Sequence, residues 1–218
     1  MSKRYLVGVL AALCLLLVMS SSILAASLTV LNADFETLLP GATREQALSL
    51  TPYGWVASGA GNDYSVTLSD KVVYQGNYSM EILVQPENDP WGVHVACKPI
   101  PVVAGKTYTV NVTAINVVNE APYTGKLDLY VEFWPDGGWW GEDDYWAPEF
   151  TLSGSKGIWN GKNRIASDPL FIGLPSGDWT TSSLTVTAPE GAKWVTVSFW
   201  TSRRTLRAYV DGIEVIER

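Results

Sequence analysis

From Leu28 to the C-terminus, apolar residues recur at every second position in run after run. The clearest run is Leu127 to Trp134. Leu127, Leu129, Val131 and Phe133 fall on one face, and Asp128, Tyr130, Glu132 and Trp134 on the other. A period of two is that of a strand with one face in a core. Tyr78 to Val84, Val93 to Cys97, Tyr108 to Ala114 and Trp194 to Trp200 repeat the pattern, and Arg207 to Val215 closes the chain. Turn clusters such as Gln75-Gly76-Asn77, Ala104-Gly105-Lys106 and Pro189-Glu190-Gly191 separate them. Ala42 to Leu50 is the one short helical candidate. Many short alternating strands between turns predict an all-β fold, an antiparallel β-sandwich of the jelly-roll type. Pro135 to Asp178 alternates little and is too long for a featureless loop. It reads as an ordered, Trp-rich insertion with one short strand near Glu149 to Leu152.

The first residues are of another kind. Ser2, Lys3 and Arg4 precede an apolar run from Tyr5 to Met19 and a small-residue stretch from Ser20 to Ser27. This is the pattern of a secretory signal peptide, residues 1–26, cleaved near Ala25, Ala26 or Ser27. The other reading is an uncleaved anchor, which spans a bilayer only if Ser20 to Ala26 is counted. Leu13 before Cys14 argues against a lipoprotein. Residues 27–218 then form one secreted, extracellular domain with no further membrane span. Loss of Lys3 and Arg4 takes the formal charge from −7 to about −9, which argues against nucleic acid or an anionic membrane as partner. Loss of Cys14 leaves Cys97 without a disulfide partner, so stability falls to the core or a metal.

The outer face of the Leu127 to Trp134 strand mixes carboxylates with large rings, and Trp139, Trp140 and Trp146 follow among Glu142, Asp143 and Asp144. A flat ring beside hydrogen-bonding carboxylates suits a sugar: its apolar C–H face stacks and its hydroxyls are bridged. Trp200 stands in the same relation to Val195, Val197 and Phe199. Trp55 and Trp179 are assigned to the core or its edge, as most sandwich tryptophans are. Trp134 and Trp200 stand opposite faces that already fill the core, so they are exposed, in a groove or covered. Trp91, Trp139, Trp140 and Trp146 lie in turn-rich sequence, as ligand platforms or as plugs. His94, the sole histidine, faces the polar side because Val93 and Val95 face the core. It contacts a sugar hydroxyl or serves as a structural hydrogen-bonding partner. The binding set is Trp91, His94, Asp128, Tyr130, Glu132, Trp134, Trp139, Trp140 and Trp200.

Six segments together resemble the carbohydrate-binding modules of families four, nine and twenty-two, which are galactose-binding-like jelly rolls. Leu31 to Glu36 is similar to their N-terminal N-x-D-F-E strand, and Gly54-Trp55 to the G-W after it. Val73 to Met80 resembles their G-x-x-S turn and strand, and Pro90 to Val95 the strand W-x-V-Q-L. Ala104 to Val110 resembles their G-K-T-Y-T hairpin, and Ala208 to Val215 their closing Y-V-D-D-I-E strand. His94 stands where Gln is usual, Gly212 replaces the second Asp of the closing pair, and the Pro135 to Asp178 insertion has no counterpart. The resemblance implies one structural Ca2+ held by Glu36 and Asp211 with carbonyls of the Gln75 to Asn77 turn, Asp34 being the weaker candidate. Calcium takes about six to eight oxygens, which such a set can supply. Against this, the three carboxylates are turn and surface groups.

A glycosidase needs two carboxyl groups about 5–5.5 Å apart for retention or about 6.5–9.5 Å for inversion. Asp128 and Glu132 share a face but are separated by about 13 Å at about 3.3 Å per residue, which leaves a pair across strands, for instance Glu132 with Glu142 or Asp143, as the arrangement open to a hydrolase. No Ser/His/Asp set, phosphate loop or zinc motif is present. The sequence therefore reads as a secreted, non-catalytic module that binds polysaccharide or oligosaccharide. From the resemblance the ligand is of the β-glucan, xylan or mannan type, and the module acts alone or docks to a separate glycan-degrading enzyme or cell surface. The alternatives are a cell-surface protein-interaction module and a small glycan hydrolase or lyase on the same fold.

Overall fold

The computed structural model describes residues 26–59, 64–85, 93–117, 125–135, 171–174, 176–201 and 205–218. They form β1 (Ala26–Leu28), α1 (Arg44–Ala47), β2 (Trp55–Gly59), β3 (Tyr64–Ser69), β4 (Ser79–Val84), β5 (Val93–Cys97) and β6 (Ile100–Pro101). β7 (Thr107–Asn116), β8 (Leu127–Trp134), β9 (Phe171–Gly173), β10 (Thr180–Thr187), β11 (Trp194–Thr201) and β12 (Leu206–Glu217) follow. One antiparallel sheet runs β10-β7-β12-β4-β3, with β1 added to β12. The other runs β2-β5-β11-β8-β9, with β6 added to β11. Most neighbours in each sheet are far apart in sequence, as expected of a jelly roll, while β3 and β4, and β8 and β9, follow one another along the chain.

The alternation decides which side chains meet between the sheets. Leu127, Leu129, Val131 and Phe133 of β8 are buried in one core with Val195, Val197 and Phe199 of β11. Met80, Ile82 and Val84 of β4, and Tyr108, Val110, Val112 and Ala114 of β7, enter from the other sheet. Trp55 lies among them with no exposed surface, its ring stacked on Phe199 at 5.9 Å and tilted on Phe35 at 5.6 Å. The Cys97 thiol is free and buried, and desolvation pushes its pKa up to about 12, so it is chemically quiet.

Three local features differ from the expected strand pattern. Leu31 to Glu36 is a turn, not a strand, with Asn32 and Phe35 both at positive φ (53° and 60°). Such backbone is strained for a non-glycine residue. Here it is held by the Asn32 side chain, which donates to the carbonyls of Thr37 and Tyr53 and accepts from the Thr37 N–H. The buried Phe35 ring anchors it from the other side. The helical candidate at Ala42 to Leu50 shortens to α1, one turn closed by a Thr43/Gln46 capping box. Finally, the β12–β7 register shifts between Asp211 and Ile213, a β-bulge with Gly212 at φ 69°. Gly212 is therefore the residue best suited to the left-handed backbone of the bulge. The expected insertion is interrupted by β9, which pairs with β8; the expected strand near Glu149 to Leu152 lies outside the described residues.

Candidate functional site

Two places gather polar groups that the core does not use. The first is the outer face of β5, β11 and β8. Antiparallel register sets Trp200 opposite Asp128 and His94, Ser198 opposite Tyr130 and Ala96, and Thr196 opposite Glu132. These residues share the face because their strand neighbours fill the core.

The face has a dry part and an open part. Glu132 and His94 are buried, and His94 Nε2 lies 3.1 Å from Glu132 Oε2. The Ser198 hydroxyl donates to the same oxygen at 2.6 Å. An ionised carboxylate only accepts, so His94 carries a proton on Nε2 while Glu132 is charged. Farther along β8, Trp134 is fully buried and its indole N–H donates to Thr196 Oγ1 at 3.1 Å. Asp128, Tyr130 and Trp200 are half-buried and make the open part. The Trp200 ring lies 4.4 Å from His94 and 6.2 Å from Tyr130. Burial lifts the Asp128 carboxyl above its ordinary range, and Lys126 partly offsets this.

The sequence-predicted set therefore divides. Asp128, Tyr130 and Trp200 come together with surface to offer. His94 and Glu132 come together on the same face, buried and in contact with each other. Trp134 is corrected: a ring with no surface and a satisfied N–H cannot serve as a stacking platform, because its face of β8 is covered. Trp91, Trp139, Trp140 and Trp146 lie outside the described residues. Ser198 and Thr196 were missed as site members. Alternation places both on this face, but small hydroxyl residues are common on strands and nothing in the sequence singles them out.

The second place is where the bulge on β12 meets the Val73 to Tyr78 turn. Asp211 is buried, and its Oδ2 accepts from the N–H groups of Tyr74 and Gln75, both at 3.0 Å. Its Oδ1 is buried with no hydrogen-bond partner. Glu36 Oε1 accepts from the N–H groups of Asn77 and Tyr78, at 2.7 and 3.0 Å, and Oε2 from the Asn77 side-chain amide at 2.9 Å. The Gln75 to Asn77 turn thus presents N–H donors to both carboxylates, where carbonyl oxygens were expected to face a cation.

Burial raises the Glu36 carboxyl, but the hydrogen bonds from Asn77 and Tyr78 outweigh it and leave its pKa below the ordinary value. Burial lifts the Asp211 carboxyl; the Gln75 and Tyr74 N–H groups oppose this, and the charges of Glu36 and Asp34 add to it. A cleft lined by Asn32, Asp34, Thr37, Gln75, Gly212 and Glu214 opens beside it. Among the described residues no three His, Cys, Asp or Glu side chains stand close enough to ligate one ion together. The unpartnered Asp211 oxygen, with the negative charge around it, nonetheless fits a hard cation completed by backbone or water oxygens.

No sequence-family profile matches the chain, and no curated protein matches its sequence. Solved structures do match. A cyclase from Fischerella sp. aligns with a TM-score of 0.56 at 14% identity, over 90% of this chain and 98% of its own. The enzymatically active domain of a tailspike protein from bacteriophage CBA120 aligns with 0.53 at 16%, over 76% of this chain, which spans 19% of the tailspike chain. The family 22 xylan-binding domain from Paenibacillus barcinonensis gives 0.49 at 14%, over 88% and 92%. At such identities what is shared is the fold, and the chain is an antiparallel β-sandwich of the jelly-roll type.

Proposed function

We propose that this is a secreted protein that binds polysaccharide or oligosaccharide on the outer face of β5, β11 and β8 without cleaving it. The observation that carries the reading is the half-open strip of Asp128, Tyr130 and Trp200, on the same sheet face as the buried cluster of His94, Glu132 and Ser198. Trp200 and Tyr130 supply apolar ring surface for a sugar face, and Asp128 accepts from its hydroxyls. The His94 and Tyr130 rings pack against Trp200 before a ligand arrives, and a site ordered in advance loses less affinity on binding. Asp128 and Glu132 are too far apart along β8 to act as a glycosidase pair. A structural Ca2+ at Asp211, beside Glu36, belongs to the same proposal: it would draw the β12 bulge and the Val73 to Tyr78 turn together.

The test is binding of the chain from residue 27 onward to insoluble cellulose, xylan and mannan, with soluble glycans followed by tryptophan fluorescence. Saturable binding without release of reducing sugar is expected. Trp200→Ala and Tyr130→Ala should each weaken it about tenfold, equivalent to about 1.4 kcal/mol. Trp134→Phe, altering a buried ring, should leave it within about twofold. No binding to any glycan by the folded protein would overturn the proposal, and sugar release would replace binding with catalysis.

A further inference from the structure

β10 is an edge strand of unusual openness. It pairs along all eight of its residues with β7 and ends the sheet on that side. Its outer row of backbone N–H and C=O groups is therefore free of any strand among the described residues. The outer sheet face of this strand is open as well: Thr181, Ser183, Thr185 and Thr187 are exposed, as is Thr180 at its start. The opposite edge of this sheet, β3, has no exposed residue. In the other sheet β9 is only three residues long. Soluble proteins blunt a long edge with lysine, proline or a bulge, because an open edge is a template for a further strand. The sequence of β10, Thr-Thr-Ser-Ser-Leu-Thr-Val-Thr, carries no charge, proline or glycine, and its pairing with β7 shows no register shift.

We propose that β10 is a self-association edge that pairs with the β10 of a second copy of this chain. Two observations select this occupant. The first is side-chain complementarity. Where β10 meets β7, hydroxyl pairs form across the strands: Thr107 with Thr187 at 3.1 Å, Thr109 with Thr185 at 3.0 Å and Thr113 with Thr181 at 2.8 Å. A second β10 offers the same row of hydroxyls. A two-fold axis at Ser183 sets Ser183 against its own copy and Thr181 against Thr185, keeping every residue on its present face. The second observation is charge. The chain carries a net −7, so two copies repel on average, whereas this eight-residue strip is neutral. Because β10 occupies one edge of its sheet, pairing uses that edge up and closes at two copies instead of growing into a fibre. Eight residues of edge bury less than the about 1,000 Å² of a stable interface, so the dimer is weak and reversible.

Sedimentation of the chain from residue 27 onward, over a concentration series, tests this. The expected result is a monomer–dimer equilibrium. Ser183→Lys with Thr185→Lys, which sets like charges across the axis, should raise its dissociation constant about tenfold or more. Ser65→Lys, on β3 at the opposite edge, should leave it unchanged. Hydrogen exchange of the unmodified chain gives a readout that needs no variant: alternate β10 amides should gain protection with concentration, while those of β3 do not. A monomer at every concentration overturns the proposal and leaves the edge to an extended segment of another protein. So does a dimer that the lysines do not weaken, or growth beyond two copies.

Discussion

Glu132 accepts from the Ser198 hydroxyl on the oxygen that also lies 3.1 Å from His94 Nε2, in a place nearly closed to solvent. Buried carboxylates persist where donors surround them, and removing the carboxylate leaves those donors with the full cost of desolvation. Glu132→Ala is therefore expected to destabilise the fold by about 1–3 kcal/mol, measured as a shift of the urea midpoint. An unchanged midpoint would mean that the network contributes nothing to stability. The alternation of β8 made the position of Glu132 legible, since it lies opposite Val131 and Phe133. What it faces was not legible. Its partners come from β5 and β11, 38 and 66 positions away in sequence, and a period reports the side of a strand, never the neighbour across it. The same limit explains Trp134. Its strand face was readable, but whether that face is open or covered depends on the whole sheet.

At the level of single elements, β4, β5, β7, β8, β11 and β12 were readable almost to the residue, because two packed sheets leave each strand one dry face. β2, β3 and β10 were not singled out, and elsewhere backbone geometry overrides the pattern. The Leu31 to Glu36 segment has strand-like composition but folds as a turn, because Asn32 supplies side-chain bonds in place of ladder bonds. The bulge at Gly212 adds one residue to β12 and turns Asp211 toward the Val73 to Tyr78 turn. A Cβ added at Gly212 would meet only ordinary contacts, the nearest being Gln75 Nε2 at 3.6 Å. The cost of Gly212→Ala is thus one of backbone conformation, about 1–2 kcal/mol. Thermal unfolding measures it, and a neutral result would show that the bulge relaxes without its glycine.

For the molecule as a whole, the proposed cation can be separated from the proposed sugar site by its pH dependence. The folded-state pKa of Asp211 lies above its unfolded value. Without metal, stability from this group is present at low pH and declines as pH rises through the folded pKa. Calcium requires the ionised carboxylate, so its stabilisation grows over that same rise and disappears on acidification. At about one hundred times its dissociation constant calcium would add about 2.7 kcal/mol, or about 5–10 °C in Tm for a domain of this size. Asp211→Asn, which can still accept from the Tyr74 and Gln75 N–H groups, should abolish the increment. A Tm indifferent to calcium and chelator at neutral pH would remove the metal and leave the sugar site standing. The sequence pointed to Asp211 and Glu36 through resemblance alone, since carboxylates in turns are common and their convergence exists only after folding.

The pairing of β1 with β12 sets Ala26 opposite Glu217 at the margin of the first sheet. From Ala26 onward the chain is therefore nearly a ring cut at one point. A linker of a few residues could close it at little entropic cost, since loop closure grows only slowly with length. The ring could then be reopened at an exposed turn such as Ala104 to Lys106, whose Lys106 ammonium lies 3.2 Å from the Glu217 carboxylate, so the new ends would lie beside the old ones with every strand pairing kept.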